Sequence, residues 1–577
     1  MTATAGASWT FAVWAPRARR VEVVVDGRRW SMTGPDGMGW YRAEVAGAGP
    51  GTDYAYSLDG GPARPDPRSR SQPRGVHGPS RVWVPPAARP PRPGRPLDGT
   101  SLIYELHVGT FSASGTFDGV VAHLDHLVDL GVSHLELMPV AAFDGDRGWS
   151  YDGVDLWAVH HAYGGADGLG RLVDACHERG LGVLLDVVYN HLGPSGNYLA
   201  EFGPYFTDRY TTPWGAAVNY DGPGSDEVRR FVVDNALAWL ADHDLDGLRL
   251  DAVHAIYDAS ALHVLEELAR AVEDLSARRG RPLALVAESD LNDPRVVGGW
   301  ARGGYGVGAQ WVDDLHHALH ALLTGERTGY YGDFGTLEHL AKALRQGYVY
   351  DGQRSAYRQR RHGRRPEGIP ASRFVTYAQT HDQVGNRALG ERLVHLVGPA
   401  RARVAAAVAL LAPSIPMVFQ GEEWAASSPF RYFSDHRDPD LARAVSEGRT
   451  QEFAAFGWEP AEVPDPQDPA TFAASVLDWA EVAGPDHAAM LDWYRHLVAL
   501  RRSRPELNGG SYEGVEATVS GGGDGGGDIL RLRRAGLTVT VNLGREAVAL
   551  PGAVLAASPP TVGGRLAPDG VAVTEDG

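Results

Sequence analysis

The sequence predicts an α/β protein: a (β/α)8 TIM barrel flanked by an N-terminal β-sandwich and a C-terminal β domain. Three observations predict it. Eight short apolar segments alternate with amphipathic helical stretches through the middle of the chain, as a parallel sheet with covered faces requires. The regions before and after them read instead as short strands punctuated by Gly and Pro. The length, 577 residues, exceeds one ordinary domain, although a barrel can absorb roughly 250 residues or more by itself.

The elements follow in order. Residues 1–85 carry Phe11–Pro16, Val21–Val25, Trp30, Tyr41 and Tyr54–Tyr56 between turn residues, the spacing of a small sandwich. Residues 86–98 are rich in Pro and Arg and suit a stiff linker. The barrel occupies 99–505, with strands expected at Leu102–Val108, Val132–Pro139, Val183–Tyr189, Gly247–Ala252, Leu283–Glu288, Gln310–Leu315, Phe374–Gln379 and Ile415–Gln420. Asp118 is the expected N-cap of a helix through Val120, Leu124 and Leu127 that Gly131 terminates. Further helices are expected at Leu169–Arg179 and Ala261–Arg279, the latter with Leu262, Leu265, Leu268 and Val272 on one face. Two insertions, about 191–223 and 324–372, exceed ordinary loop lengths. Residues 506–577 return to β, with a flexible hairpin loop expected at Gly521–Gly527, where no helix or Walker lysine follows to make a phosphate cradle.

Composition narrows the function classes. The apolar fraction of 43% and charged fraction of 22% exclude wholesale disorder. The balance of 54 basic against 72 acidic residues gives −18, which disfavours nucleic acid and anionic membrane. Of the basic residues only Lys342 is lysine, so arginine abundance is compositional and not phosphate recognition. The basic run Arg354–Arg365 accordingly reads as a solvated loop. No uninterrupted apolar run approaches 18 residues, and Met1–Ser8 lacks a basic and apolar leader. With one cysteine, Cys176, in a helix face, a cytoplasmic location is expected. His316 and His320 have metal-like i, i+4 spacing, but lacking a third ligand they read as surface helix. No cofactor or metal is expected, and oligomeric state is not encoded in any motif.

In such a barrel, polar residues at strand carboxyl ends point into the active site, whereas mid-strand they would be buried at a cost. Here the third strand ends with Asp186, Asn190 and His191, the fourth with Arg249, Asp251 and His254, the fifth with Glu288, and the seventh with His381 and Asp382. Each alone has a structural explanation; acids on three separate strands together indicate chemistry. The pattern suits glycoside cleavage, which needs one carboxyl to donate a proton and another to attack or stabilise the sugar cation. Arg249, two residues before Asp251, projects from the same strand face and can hold that carboxylate ionised.

Four motifs resemble those of the α-amylase family, glycoside hydrolase family 13. They are Asp186–His191, Gly247–His254, Val286–Glu288 and Thr380–Gln383, in the family's order. The resemblance implies Asp251 as nucleophile, Glu288 as acid/base in a less polar pocket with negative neighbours, and Asp382 as the third catalytic acid. It further implies substrate contacts from Tyr151, Asp186, His191, Arg249, His254 and His381, with Tyr151 stacking beneath the reacting sugar. Trp214, in the first insertion, is either a sugar platform or loop core. Asn190 matches a calcium ligand of many amylases, but the short insertion lacks an Asp-rich loop. The extended motifs Asp251–Ile256, Ala287–Pro294 and His381–Gly390 look like those of members acting on maltooligosyltrehalose, and the leading β region looks like a carbohydrate-binding module. The alternatives are branching or debranching of α-1,4-glucan and, remotely, non-catalytic glucan binding.

Overall fold

The computed structural model describes residues 8–86, 92–454, 462–521 and 528–575. Eight parallel strands close into a barrel: Ile103–Leu106, His134–Leu137, Gly182–Val187, Gly247–Leu250, Ala284–Glu288, Ala309–Trp311, Phe374–Tyr377 and Ile415–Phe419. Closure is made by the last strand pairing with the first, Met417 opposite Ile103. Ile103, Leu184, Val286, Trp311, Tyr377 and Met417 fill the interior, while the alternate residues Leu135, Leu185 and Leu248 face the surrounding helices in the main core. This is the period-two division of a sheet covered on both faces.

All eight expected strands are present, and their ends differ for local reasons. The sixth stops at Trp311 because Asp313 and Asp314 occupy the first turn of a helix, Asp313–Thr324, where acidic side chains suit the positive helix terminus. Asp118 is not the cap it was expected to be. Thr116 accepts from the Gly119 N–H instead, and Asp118 reaches out to Arg171 at 2.8 Å. The helix from 261 begins only at Val264, capped by His263, and leaves Leu262 exposed.

Two further expectations are corrected by packing. His316 and His320 are buried, not on a surface. His316 bonds the Ala378 carbonyl and the Tyr331 hydroxyl, and His320 bonds Glu326. The helix Leu393–Leu410 has a mean hydropathy of 1.4 over 18 residues, although no run of that length is uninterrupted. Gly398, at φ 75°, and Pro399 break it, and its second half is buried in the barrel's outer ring. Cys176 is buried, and burial pushes its thiol pKa up.

The N-terminal region forms two sheets, Ser8–Trp14 with Trp40–Ala46 and a five-stranded sheet centred on Val21–Val25 and Asp53–Leu58. It meets the barrel through Arg68–Asp234 at 2.9 Å and Trp14 against Tyr205. The C-terminal region is a five-stranded antiparallel sheet plus a short paired ribbon. Its strands Glu516–Ser520 and Ile529–Arg534 pair directly; the glycine run between them lies, from 522 to 527, outside the described residues. The first insertion folds as a short helix and the hairpin Phe206–Thr212/Gly215–Val218, the second around the helix Leu337–Gln346 and the hairpin Arg354–Ser355/Arg360–Arg361. These insertions, with a helix Pro439–Ala454 after the eighth strand, build one rim.

Candidate active site

A cavity of about 730 Å³ opens at the carboxyl ends of the strands, where the βα loops of a barrel gather. Its walls include Tyr151, His191, Asp251, Glu288, His381 and Asp382, together with Trp214, Arg249 and His254.

Arg249 organises the floor. Its guanidinium is 1% exposed, with Nη1 donating to Asp186 Oδ2 at 2.5 Å and to Asp251 Oδ1 at 2.9 Å. Nη2 meets Glu288 Oε2 at 2.7 Å, and the plane lies over the Trp311 ring at 4.3 Å. One cation therefore aligns carboxylates from three neighbouring strands. Asp251 is fixed on its other oxygen by Asn190 Nδ2 at 2.8 Å. Ala252, immediately after it, is held at φ 37° and ψ 52°, a left-handed conformation that costs a non-glycine residue about 1 kcal/mol or more. That twist aims its N–H at Glu288 Oε2, 2.8 Å away.

Asp382 sits in the first turn of the short helix His381–Gly385, whose start is fixed by a reciprocal Thr380–Gln383 cap. Burial raises its pKa, against the attraction of His381, and Asn386 donates to its Oδ1 at 2.7 Å. Burial opposes the charge of His381, but Glu105 beside it prevails and raises the pKa. The Glu105 carboxylate takes both the His381 backbone N–H and Nδ1. Tyr151 stacks on the other face of that imidazole at 5.1 Å. Burial lowers His191 to about 4, so its neutral ring donates from Nδ1 to Asn190 Oδ1 at 2.5 Å. The exposed Trp214 indole lies parallel to it at 4.5 Å in the cavity wall, and so is not buried as loop core.

The expected residues thus converge, with two departures. Asp186 does not line the cavity; it is buried behind Arg249 and accepts from the Tyr151 hydroxyl at 2.7 Å. Burial raises it to about 7 despite Arg249, whose charge is divided among three acids. Glu288 has negative neighbours, but its pocket is not the weakly polar one expected, because Arg249 and the Ala252 N–H both converge on Oε2. Asn190 spends its amide on Asp251 and His191, a role internal to the site.

Other lining groups escaped the sequence reading. Asp313, raised to about 8 by burial, accepts from the Tyr377 hydroxyl. Arg358 comes from the basic run expected to be solvated, yet it lies in the wall, 3.1 Å from Asp290. His317 and Tyr330 lie beside them. The signal for Asp313 was available, since it too follows a barrel strand.

Two family models match the chain: "Alpha amylase, catalytic domain" over residues 70–211 and "Carbohydrate-binding module 48 (Isoamylase N-terminal domain)" over 1–87. A malto-oligosyltrehalose trehalohydrolase of Arthrobacter ramosus is 53% identical over 506 residues, 86% of this chain and 87% of that protein. One of Mycobacterium tuberculosis is 49% identical over 550 residues, 94% and 93% of the two chains. Among solved structures, a putative α-amylase from Salmonella typhimurium superposes with a TM-score of 0.90 at 38% identity, covering 99% of this chain and 98% of its own.

Proposed function

The chain belongs to the malto-oligosyltrehalose trehalohydrolase family of α-amylase-type glycosidases, and from that premise we propose how its cavity performs the reaction. The substrate is a maltooligosaccharide ending in trehalose, and the bond cut is the α-1,4 linkage next to that trehalose unit. Tyr151 supports the apolar face of the sugar at the point of cleavage. Asp382, His381 and His191 hold its hydroxyl groups.

Asp251 attacks the anomeric carbon while Glu288 protonates the departing 4-oxygen of trehalose. The C–O bond to trehalose breaks as the glycosyl ester to Asp251 forms. Since Arg249 and the Ala252 N–H occupy Oε2, the transferred proton belongs on Oε1. Water then enters, Glu288 takes its proton, and the new C–O bond releases Asp251 and a shortened maltooligosaccharide. Two inversions give net retention. Asp186, behind Arg249, keeps the guanidinium and Tyr151 in register.

The observation that carries this mechanism is the single guanidinium joining Asp251 to Glu288 across the cavity floor. Incubation with maltooligosyltrehalose is expected to release free trehalose, with much slower hydrolysis of plain maltohexaose. Amylose gaining α-1,6 branches with no trehalose formed would replace this reading with glucan branching.

A further inference from the structure

We infer that Asp146, His160 and His161 form a binding site for a zinc-class transition-metal ion outside the sugar cavity. The site departs from the sequence expectation of no metal, because its ligands come from two segments whose proximity only the fold reveals. Asp146 lies in the loop after the second barrel strand, and the histidines follow the short strand Asp155–Val159.

His160 supplies the main observation. Its backbone N–H is tied to the Val140 carbonyl at 2.8 Å, and its ring is stacked on Phe143 at 3.8 Å. The ring is fully buried, and among the described residues neither Nδ1 nor Nε2 has a hydrogen-bond partner. A buried imidazole ordinarily satisfies at least one nitrogen, so this ring is positioned for an acceptor of another kind. Burial keeps it neutral, the form that ligates a metal. His161 is adjacent, with Nε2 3.1 Å from Asp146 Oδ1 and a buried Nδ1 that has no partner among the described residues.

One donor atom from each of the three residues lies within 4.8 Å of the other two. Bonds of about 2.0–2.1 Å in a tetrahedral site place neighbouring ligand atoms about 3.3–3.5 Å apart, so a small inward movement completes the set. Two imidazoles and one carboxylate favour zinc over calcium or magnesium, which prefer all-oxygen shells. Asp146 is exposed and His161 partly so, leaving an entry path and a fourth position for water. Arg437 faces the site, with Nη2 3.9 Å from Asp146 Oδ1. It is 59% exposed on its side chain and can withdraw to solvent. The Asp146 N–H is anchored to Asp435 Oδ2 at 2.9 Å. An ion here would pin the loop that carries Trp149 and Tyr151 into the cavity.

The test uses the full-length protein stripped with EDTA and dialysed, then titrated with ZnCl2 by calorimetry and assayed for bound metal by plasma mass spectrometry. The expected result is one tight equivalent per chain, weakened at least 100-fold in a D146N/H161Q variant. The melting temperature should rise with zinc in the parent and not in that variant. D146N alone, altering an exposed side chain, guards against misfolding and should weaken binding on its own. Absence of a stoichiometric equivalent overturns the proposal, as does an equivalent that D146N and D146N/H161Q leave undiminished.

Discussion

The two ends of the fourth barrel strand hold two charge clusters built on opposite plans. Below it, Asp246 accepts from Arg92 at 2.7 Å, His177 at 2.9 Å, Arg281 at 3.0 Å and the Val183 N–H at 2.9 Å. Its neighbour Asp244 takes Arg279 and Arg281 at 2.9 and 2.6 Å. Cations outnumber acids there. Burial opposes the charge of Asp246, but His177, Arg92 and the backbone donor prevail and bring it to about 2. Above the strand, roughly 13 Å away at about 3.3 Å per residue, Asp186, Asp251 and Glu288 share one guanidinium. Burial leaves Asp186 at about 7. The lower cluster is electrostatically complete and ties the linker to the barrel. The upper one has more carboxylate than cation, and in the proposed mechanism it is completed when positive charge develops on a sugar ring. This is the physical content of the general division of a barrel into a stability face and a chemistry face.

The two clusters should respond differently to mutation. The largest effect is expected from Asp251→Ala, which should reduce kcat by about 10⁴-fold or more while leaving the melting temperature unchanged or higher, since it removes a like charge. A large loss of stability in that variant would mean the upper cluster is structural after all. Asp246→Ala should do the reverse. It strands buried cations and should cost about 3–5 kcal/mol in urea unfolding, with kcat of the folded fraction retained.

The pH dependence sharpens the contrast. Because Asp246 has a folded pKa of about 2, below its ordinary 3.8, the unfolded chain binds the proton first as pH falls. Its contribution is fully present above about pH 4 and is lost as the pH falls through 2, on the order of 2–3 kcal/mol. Unfolding curves of Asp246→Asn should lack that acid-limb component. The smallest effect concerns the rim: Trp214→Ala removes a stacking surface worth about 1 kcal/mol, so KM should rise several-fold with kcat nearly intact. A loss confined to kcat would instead place Trp214 in support of His191.

The fold was legible because buried parallel strands are unusual in sequence. Val183–Tyr189 and Gly247–Ala252 are short apolar segments interrupted only by charged residues, Asp186 in the first and Arg249 and Asp251 in the second, the pattern of a sheet covered on both faces that offers a few charges to a site. The acids of the site were legible for the same reason. What stayed hidden depended on three-dimensional neighbours. Arg358 sits among five other arginines between 354 and 365, and only its approach to Asp290, 68 positions away, separates it from a solvated loop. The i, i+4 spacing of His316 and His320 cannot distinguish an outer helix face from one covered by the turn at Tyr331. Glu105, which holds His381, is an acid inside the first barrel strand. Its role depends on closure bringing the first strand beside the eighth and near the seventh.

The most direct test of the roles of Asp251 and Glu288 follows the anomeric configuration of the first product by proton NMR, during the opening minutes of cleavage of maltooligosyltrehalose. Asp251 and Glu288 acting through Arg249 predict a shortened maltooligosaccharide released as the α-anomer together with free trehalose, before mutarotation. A β-anomer formed first would mean that water, and not Asp251, attacks the sugar, and would contradict the account.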